Sequence, residues 1–506
     1  MTGSPPSNWR KTRVASLLAL LMIATGWKFQ PSRYDRKAWF ADYGYLQRQI
    51  GELYANLDWT AEKGSPDLRK LDRDVTAALQ NARSDDEART ILRGFVRAFG
   101  DGHMSLLQAD APAVDPKPSP DVLLSRFTPP ETACEALRFN HWGEQEFPFR
   151  LEGTPGFRRA GGANSFASAI LDFEGRRFGL VRIGSFETKD FLGACLREWP
   201  LFRQKLAGTC ERDCRGEFER RVADRLLGEI EARIRQLDHA GSQILIVDLT
   251  NNPGGDGWFS PAAQLFSAER LRPLRAAYVK NRLTVGRLQS DRGEIAHYLA
   301  TRSPDSRLRA ILEDAICRLD DVVAEAERPC DPLFIWAGRS RQSGCTRLTT
   351  RELYRTGVFG RYEGALLPFA VQASVCFDAV YRSVQGAWHG PVSVLIDGNT
   401  ASSAEAFAGL LRYRAGALLV GRHSSSCGGG WTFGLRPWTL PESGMQLYMP
   451  DTVEYWPDGA NAREGLAPDV PTRWRPRENP ALMAKQLLKA LRSVDFPAAS
   501  PASISQ

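Results

Sequence analysis

Apolar positions along the chain follow two spacings. From Trp39 to Tyr54 they fall at Phe40, Tyr43, Leu46, Ile50 and Leu53, which predicts a helix with one buried stripe. A second helix is predicted over about 85–99, with Ile91, Leu92, Phe95 and Phe99 as its stripe. Ser84 and Glu87 give it a capping-box start and Gly100 a stop. The clearest helical pattern covers Glu217–Leu237, where Phe218, Val222, Leu226, Ile230 and Ile234 recur and Glu231 supports Arg235. Strand patterns occupy Ala167–Phe173 and Phe178–Ile183, joined through the turn Glu174-Gly175-Arg176-Arg177. Gln243–Leu249, Val394–Ile396 and Ala417–Val420 are short apolar runs bounded by turn signals. Such runs suit strands of a parallel sheet covered on both faces. Met445–Met449 and Thr452–Trp456 are further strands. Helices are expected at about Pro261–Leu271, from about Ala404, and over Pro480–Leu491 with Asn479 as cap.

Two of the apolar strands run straight into polar turns. Gln243–Leu249 is followed by Asn251-Asn252-Pro253-Gly254-Gly255-Asp256-Gly257, and Val394–Ile396 by a turn and then Thr400-Ala401-Ser402-Ser403-Ala404-Glu405. Open α/β sheets place their sites at such strand ends. A serine at a helix start faces unpaired backbone N–H groups, which suit a developing oxyanion. The plain reading of the same run is a Ser/Thr helix cap. Gly100-Asp101-Gly102-His103 is a tight turn after the second helix and displays a candidate base.

The pattern divides the chain as follows: 1–26, an export segment; 27–110, a helical domain; 111–165, a linker or irregular segment; 166–280, the first half of an α/β core; 281–364, a helical insertion with cysteines; 365–475, the second half; 476–506, a last helix and tail. No internal repeat is visible.

With 506 residues, 43% hydrophobic and 25% charged, the chain can bury a sizeable core. Its charge of +7 is interspersed rather than blocked, so nucleic acid is not an expected partner. Arg10, Lys11 and Arg13 precede the apolar run Val14–Ala24, and Ala24-Thr25-Gly26 resembles a cleavage site. This predicts a periplasmic or secreted protein; membrane contact follows only if the segment stays uncleaved. Export makes disulfides plausible among the nine cysteines, an odd number that leaves at least one thiol over. Cys195, Cys210 and Cys214 cluster locally, as do Cys317, Cys330 and Cys345. A zinc site is the runner-up for these clusters, but they lack paired C-x-x-C spacing and nearby His, so no metal is expected.

Four motifs in order resemble the tail-specific (C-terminal processing) serine peptidases, in their tricorn-like, retinoid-binding-protein-like branch. They are Phe99-Gly100-Asp101-Gly102-His103, Ile246–Gly255, Thr400–Glu405 and Glu464-Gly465-Leu466-Ala467-Pro468-Asp469. The resemblance implies an α/β crotonase-like (ClpP/crotonase-type) core with an N-terminal helical domain. A standard PDZ domain is not expected, because the interval between Leu107 and Phe178 carries no such signature. By the same resemblance Ser402 is the nucleophile, and Ser403 donates one oxyanion N–H. Gly254 or Gly255 donates the other. The processing proteases carry a lysine 25 positions after the nucleophile; here that position is Cys427, so a Ser–Lys dyad is not expected. His103 matches the histidine base of the tricorn-like branch, with His423 as the alternative. Glu464 is the nearest match to the orienting carboxylate, with Asp458 or Asp469 as alternatives. Gly102 stands where some members carry a serine, so that hydroxyl of the tetrad is missing here.

The expected function is therefore an exported serine peptidase that cleaves peptide or protein substrates through an acyl-enzyme, without cofactor or metal. The competing readings are a non-catalytic relative that binds peptides or apolar ligands, and a crotonase-type acyl-CoA enzyme, which fits export poorly. The oligomeric state is open.

Overall fold

The computed structural model describes residues 34–108, 123–162, 165–331, 335–336, 346–360, 367–430, 437–475 and 478–494. The predicted export segment and Cys345 lie outside these residues. In chain order the strands are β1 (Ser105–Leu107), β2 (Phe157–Arg159), β3 (Ser168–Phe173), β4 (Arg176–Arg182), β5 (Ile244–Asp248), β6 (Arg275–Tyr278), β7 (Leu353–Tyr354), β8 (Val392–Ile396), β9 (Leu418–Gly421), β10 (Trp438–Thr439), β11 (Gln446–Tyr448), β12 (Thr452–Tyr455) and β13 (Val470–Pro471).

A seven-stranded sheet in the order β13-β9-β8-β5-β4-β3-β2 forms the centre. β4, β5, β8, β9 and β13 run parallel, and β2 and β3 add an antiparallel edge. The β3–β4 turn places Glu174 and Gly175 both at positive φ, the geometry that matches strand twist in a two-residue hairpin. β5 and β8 are buried along their whole length, and alternate residues enter different cores. Leu245, Val247, Val394 and Ile396 pack with the helices Arg212–His239 and Ser403–Ala415. Ile244, Ile246, Leu395 and Val420 pack with Leu487 and Leu491 of the C-terminal helix Pro480–Ser493. That is the two-sided burial the apolar runs imply.

The N-terminal region contains the helices Arg36–Leu53, Leu57–Lys63, Leu68–Asn81 and Asp85–Arg97. The second and third were not read from the sequence. Ser84 caps the last of them, accepting the Glu87 N–H at 3.2 Å, while Glu87 reaches back to the Arg83 N–H at 2.7 Å. These helices share a core with Leu106 and Leu447. β1 pairs antiparallel with β11, Ser105 opposite Tyr448. An early strand is thereby stitched to a late one, and the turn just before β1 is carried onto the α/β core.

The segment expected to be irregular holds the helix Pro130–Ala136, the edge strand β2, and Phe149 and Leu151, which are buried against the sheet. The helix expected over 261–271 is shorter, Phe259–Gln264. The insertion holds the helices Arg282–Thr301 and Ser306–Ala326, packed with Val371 and Val375 of Phe369–Val375. Cys134 bonds to Cys195 and Cys210 to Cys214. Two members of the first cysteine cluster thus pair with each other, and the third bridges to a distant helix. Cys317, Cys376 and Cys427 are free thiols. No described helix is long and apolar enough to cross a membrane.

Candidate active site

The glycine turn after β5 and the serine turn after β8 are sewn together by their own polar groups. Thr400 Oγ1 donates to the Leu249 carbonyl at 3.0 Å, and the Ala401 N–H to the Asn252 carbonyl at 3.0 Å. Asp397 accepts the Asn251 N–H at 3.0 Å. Asn252 spends its side chain on both sides of the turn, donating to the Ile183 carbonyl and accepting the Gly254 N–H, each at 2.9 Å. Register between adjacent parallel strands sets the height of the two turns, and these bonds set their spacing.

Ser402 sits at φ 52°, ψ −118°, immediately before the helix Ser403–Ala415. A non-glycine residue held there costs about 1–3 kcal/mol and persists only where its surroundings impose it. Gly254 is part of that imposition. A Cβ on Gly254, at φ 97°, would lie 2.8 Å from Ser402 Cβ and 2.9 Å from Ser403 N. The glycine backbone therefore lies against the serine, as close approach requires. Ser403 N–H opens the helix, where backbone donors have no partner within the helix. Gly254 N–H is already taken by Asn252, whereas Gly255 N–H has no partner among the described residues and Gly255 is exposed. Ser403 Oγ donates to the Gly255 carbonyl at 2.7 Å, tying both donor positions together.

Glu405 fixes the other side. Its carboxylate accepts the N–H groups of Ser402 (3.1 Å), Ser426 (2.9 Å) and Cys427 (2.9 Å), and the Ser424 hydroxyl. Burial pushes its carboxyl above the ordinary value against these four bonds. The loop 424–427 is thereby clamped to the serine turn. Cys427 Sγ in turn fills the space beside Gly102, where an added Cβ would stand 2.3 Å from it. A serine at Gly102 would have to displace the Cys427 thiol. Burial pushes the Cys427 thiol up to about 11, so it stays protonated and is no substitute for a lysine base.

Gly102, the residue before His103, therefore lies against the loop that Glu405 clamps to the serine turn. His103 is 7% exposed. Asp101 shapes its turn, accepting the His103 N–H and the Tyr54 hydroxyl, each at 2.9 Å, and pairing with Arg463 at 3.3 Å. Burial lowers the imidazole pKa below its ordinary value; Asp101 and Glu454 act to raise it, Arg355 and Arg463 to lower it.

The other sequence candidates have partners of their own, and Ser426 Oγ of the clamped loop donates to the Glu464 carbonyl at 3.2 Å. Glu464 pairs with Lys63 at 2.6 Å, its side chain 41% exposed. Asp458 accepts the Ala460 N–H within a turn at 3.0 Å. Asp469 pairs with Arg412 at 2.8 Å and caps Leu419. His423 is exposed, with Nδ1 3.0 Å from the Ser424 carbonyl. Glu454, not singled out from the sequence, is the buried carboxylate of β12 that acts on His103, and it pairs with Arg355 at 2.7 Å. Its only sequence signal is that it is the one charged residue of the run Thr452–Trp456. A cleft of about 390 Å³ opens beside it, walled by Gly257, Leu288, Leu353, Arg355 and Val358.

Fold and loops together define a mixed α/β protein whose polar turns gather at the C-terminal ends of a parallel sheet. More particularly, the chain belongs to peptidase family S41: the model of that family matches residues 217–472. The match takes in both turns and Glu454 and leaves His103 outside. Among solved structures the chain is similar to mature CPAF, at 13% identity and a TM-score of 0.53, covering 92% of this chain and 99% of that one. A mutant form of CPAF gives 12% identity and a TM-score of 0.54 over 92% and 99%. The photosystem II D1 C-terminal processing protease aligns over 92% and 99% at 12% identity, with a TM-score of 0.33. The CPAF likeness bears on fold alone. No curated protein matches the sequence.

Proposed function

We propose that this peptidase is an exported serine enzyme with Ser402 as nucleophile and His103 as base. The neutral imidazole takes the Ser402 proton as Oγ attacks a peptide carbonyl. The oxygen of the tetrahedral intermediate faces the N–H groups of Ser403 and Gly255, and His103 then protonates the leaving amine. Water, activated by the same imidazole, hydrolyses the acyl ester. Glu454 and Asp101 stabilise the imidazolium; Glu454 takes the orienting role in preference to Glu464, whose carboxylate is engaged by Lys63 at the surface.

The observation that carries this reading is the approach of Gly254 to the strained Ser402 and to Ser403 N. A plain helix cap needs neither the strain nor the glycine. Lowered basicity of His103 keeps it unprotonated near neutral pH, as a base must be. Export is supported by the basic-then-apolar N-terminal sequence and by the disulfides. A fluorophosphonate probe should label the wild type at Ser402, not Ser402→Ala, and His103→Ala only at a strongly reduced rate. A folded wild type that takes no label would return the protein to the ligand-binding reading.

A further inference from the structure

We propose that Arg355, delivered by the strand β7 of the helical insertion, is a positioning residue that ties the carboxylate beside the base to the oxyanion side of the site. The proposal rests on the Ser402–His103 reading above.

The guanidinium bridges parts of the site that no other side chain joins among the described residues. Arg355 Nε meets Glu454 Oε1 at 2.7 Å, and Nη2 donates to Ser403 Oγ at 3.4 Å. Ser403 Oγ donates its own hydrogen bond to the Gly255 carbonyl at 2.7 Å. The guanidinium carbon stands 4.2 Å from the centroid of the Phe259 ring, the first residue of the helix after the glycine turn. The Arg355 N–H is anchored to the Leu274 carbonyl at 2.9 Å, which fixes where the side chain starts. One planar fork thus reaches the carboxylate strand, the nucleophile helix and the glycine-turn helix at once. A lysine ammonium is a point charge and cannot span them.

The electrical consequence has a definite sign. Among the described residues, the charged groups that act on His103 include Asp101 from its own turn, Glu454 from β12, Arg355 from the turn after β7 and Arg463 from the segment 462–464, and the neutral thiol of Cys427 lies beside the neighbouring Gly102. The Tyr54 phenol, bonded to Asp101, is pushed far above its ordinary range and stays neutral. Arg355 shares the charge of Glu454. Without it, Glu454 acts on the imidazole undiluted, and the imidazole becomes easier to protonate. The insertion is on this view part of the catalytic apparatus: a displacement of β7 loosens base and oxyanion donors together.

The test measures the rate of fluorophosphonate labelling of Ser402 against pH, which needs no known substrate. In Arg355→Met the plateau rate should fall about tenfold or more through lost positioning. Its acid limb should move up by about one pH unit as Glu454 acts alone. Arg355→Lys should bring the limb back toward the wild-type position while the plateau stays low, since charge returns and the bridge does not. In the Glu454→Gln background, Arg355→Met should still move the limb up, because the guanidinium's own charge on the imidazole is lost, but the plateau should fall by less than in the wild type, because the bridge to the carboxylate is already gone. A folded Arg355→Met that keeps the wild-type plateau and limb overturns the inference and leaves the peptidase reading standing. So does a fall in rate matched by a fall in Tm with the limb unmoved, which would make Arg355 only a strut. An unlabelled wild type sinks the peptidase reading first, and this inference with it.

Discussion

Glu405 accepts the backbone N–H of Ser402 at 3.1 Å from within the first turn of the helix that Ser402 precedes. The same carboxylate oxygen takes the Cys427 N–H at 2.9 Å. Glutamine at this position would turn an amide NH₂ toward two N–H donors, or toward the Ser424 hydroxyl and the Ser426 N–H if flipped. Leaving buried donors unpaired costs about 1–3 kcal/mol each. Glu405→Gln should therefore lower the Tm and slow Ser402 labelling, and Glu405→Ala should do both more severely. Denaturation and labelling of the purified variants decide it; a Gln variant with wild-type stability would show that the clamp is not needed.

Gly254→Ala meets both a steric and a conformational barrier. The new methyl would stand 2.8 Å from Ser402 Cβ and from the Ala401 carbonyl oxygen, at φ 97°. Something must move, and the atoms nearest are those that hold the nucleophile and the Ser403 donor. Loss of one oxyanion donor typically costs about 10²–10³-fold in rate. Gly254→Ala should lose labelling by at least that factor while far-UV circular dichroism stays native. Gly241→Ala is a control: Gly241 is also at positive φ, with only the Arg177 side chain nearby, and should cost stability without silencing Ser402.

How much of this was legible depends on the reach of each signal. The serine and glycine turns announce themselves locally, because a strand end, small residues and a helix start are consecutive in the chain. The Asp101–His103 turn is local too, yet its arrival at the site depends on β1 pairing with β11 more than three hundred residues later. Glu454 does not stand out in the sequence, because neither its burial nor its pair with Arg355 shows in a four-residue strand. Glu464 attracted attention through motif register, but its side chain reaches Lys63 of the N-terminal helices. The helix Leu68–Asn81 has Leu68, Leu71, Val75 and Leu79 in step and could have been read from spacing alone. Phe149 and Leu151 belong to no periodic run, so their burial could not.

The choice of carboxylate is open to direct measurement. If Glu454 supports the imidazolium, Glu454→Gln should cut the labelling plateau about tenfold or more and shift the acid limb to lower pH, because a negative charge that raises the His103 pKa has gone. Glu464→Gln removes an exposed pair with Lys63, of a kind worth about 0–1 kcal/mol. It should leave both plateau and limb in place. The reverse pattern would restore Glu464 to the site.

The bond between Cys134 and Cys195 joins residues 61 apart in sequence. Closing a loop of that length removes about 4 kcal/mol of unfolded-chain entropy in the simplest account. The double substitution Cys134→Ser with Cys195→Ser should lower the Tm clearly, and reductant should lower the Tm of the wild type by more than that of the double variant, which of the two described bonds keeps only the short-loop one. The bond of Cys210 to Cys214 closes only a short loop beside it, so breaking that one should cost less. Equal losses from both would contradict the loop-length argument.

Glu187 supplies a stability prediction with a fixed sign. Its backbone N–H lies against Gly255, and its carboxyl is pushed up to about 8, first by burial and then by the neighbouring Asp256 and Asp190, with Lys189 opposing. A carboxyl whose folded pKa lies above its unfolded value of 4.5 stabilises the fold only while protonated. That contribution is complete below the unfolded value and is lost as pH rises through the folded one, so the wild-type Tm should fall relative to Glu187→Gln between about pH 5 and pH 8. Asp256 is raised as well and is bonded to Thr188, so Asp256→Asn should also flatten the slope in part by lowering the Glu187 pKa. Thermal melts of wild type and Glu187→Gln at half-unit steps of pH give the answer. Profiles that run parallel across the window would mean that Glu187 is already ionised at acid pH, and the acidic rim beside Gly255 would then carry its full charge wherever the enzyme works.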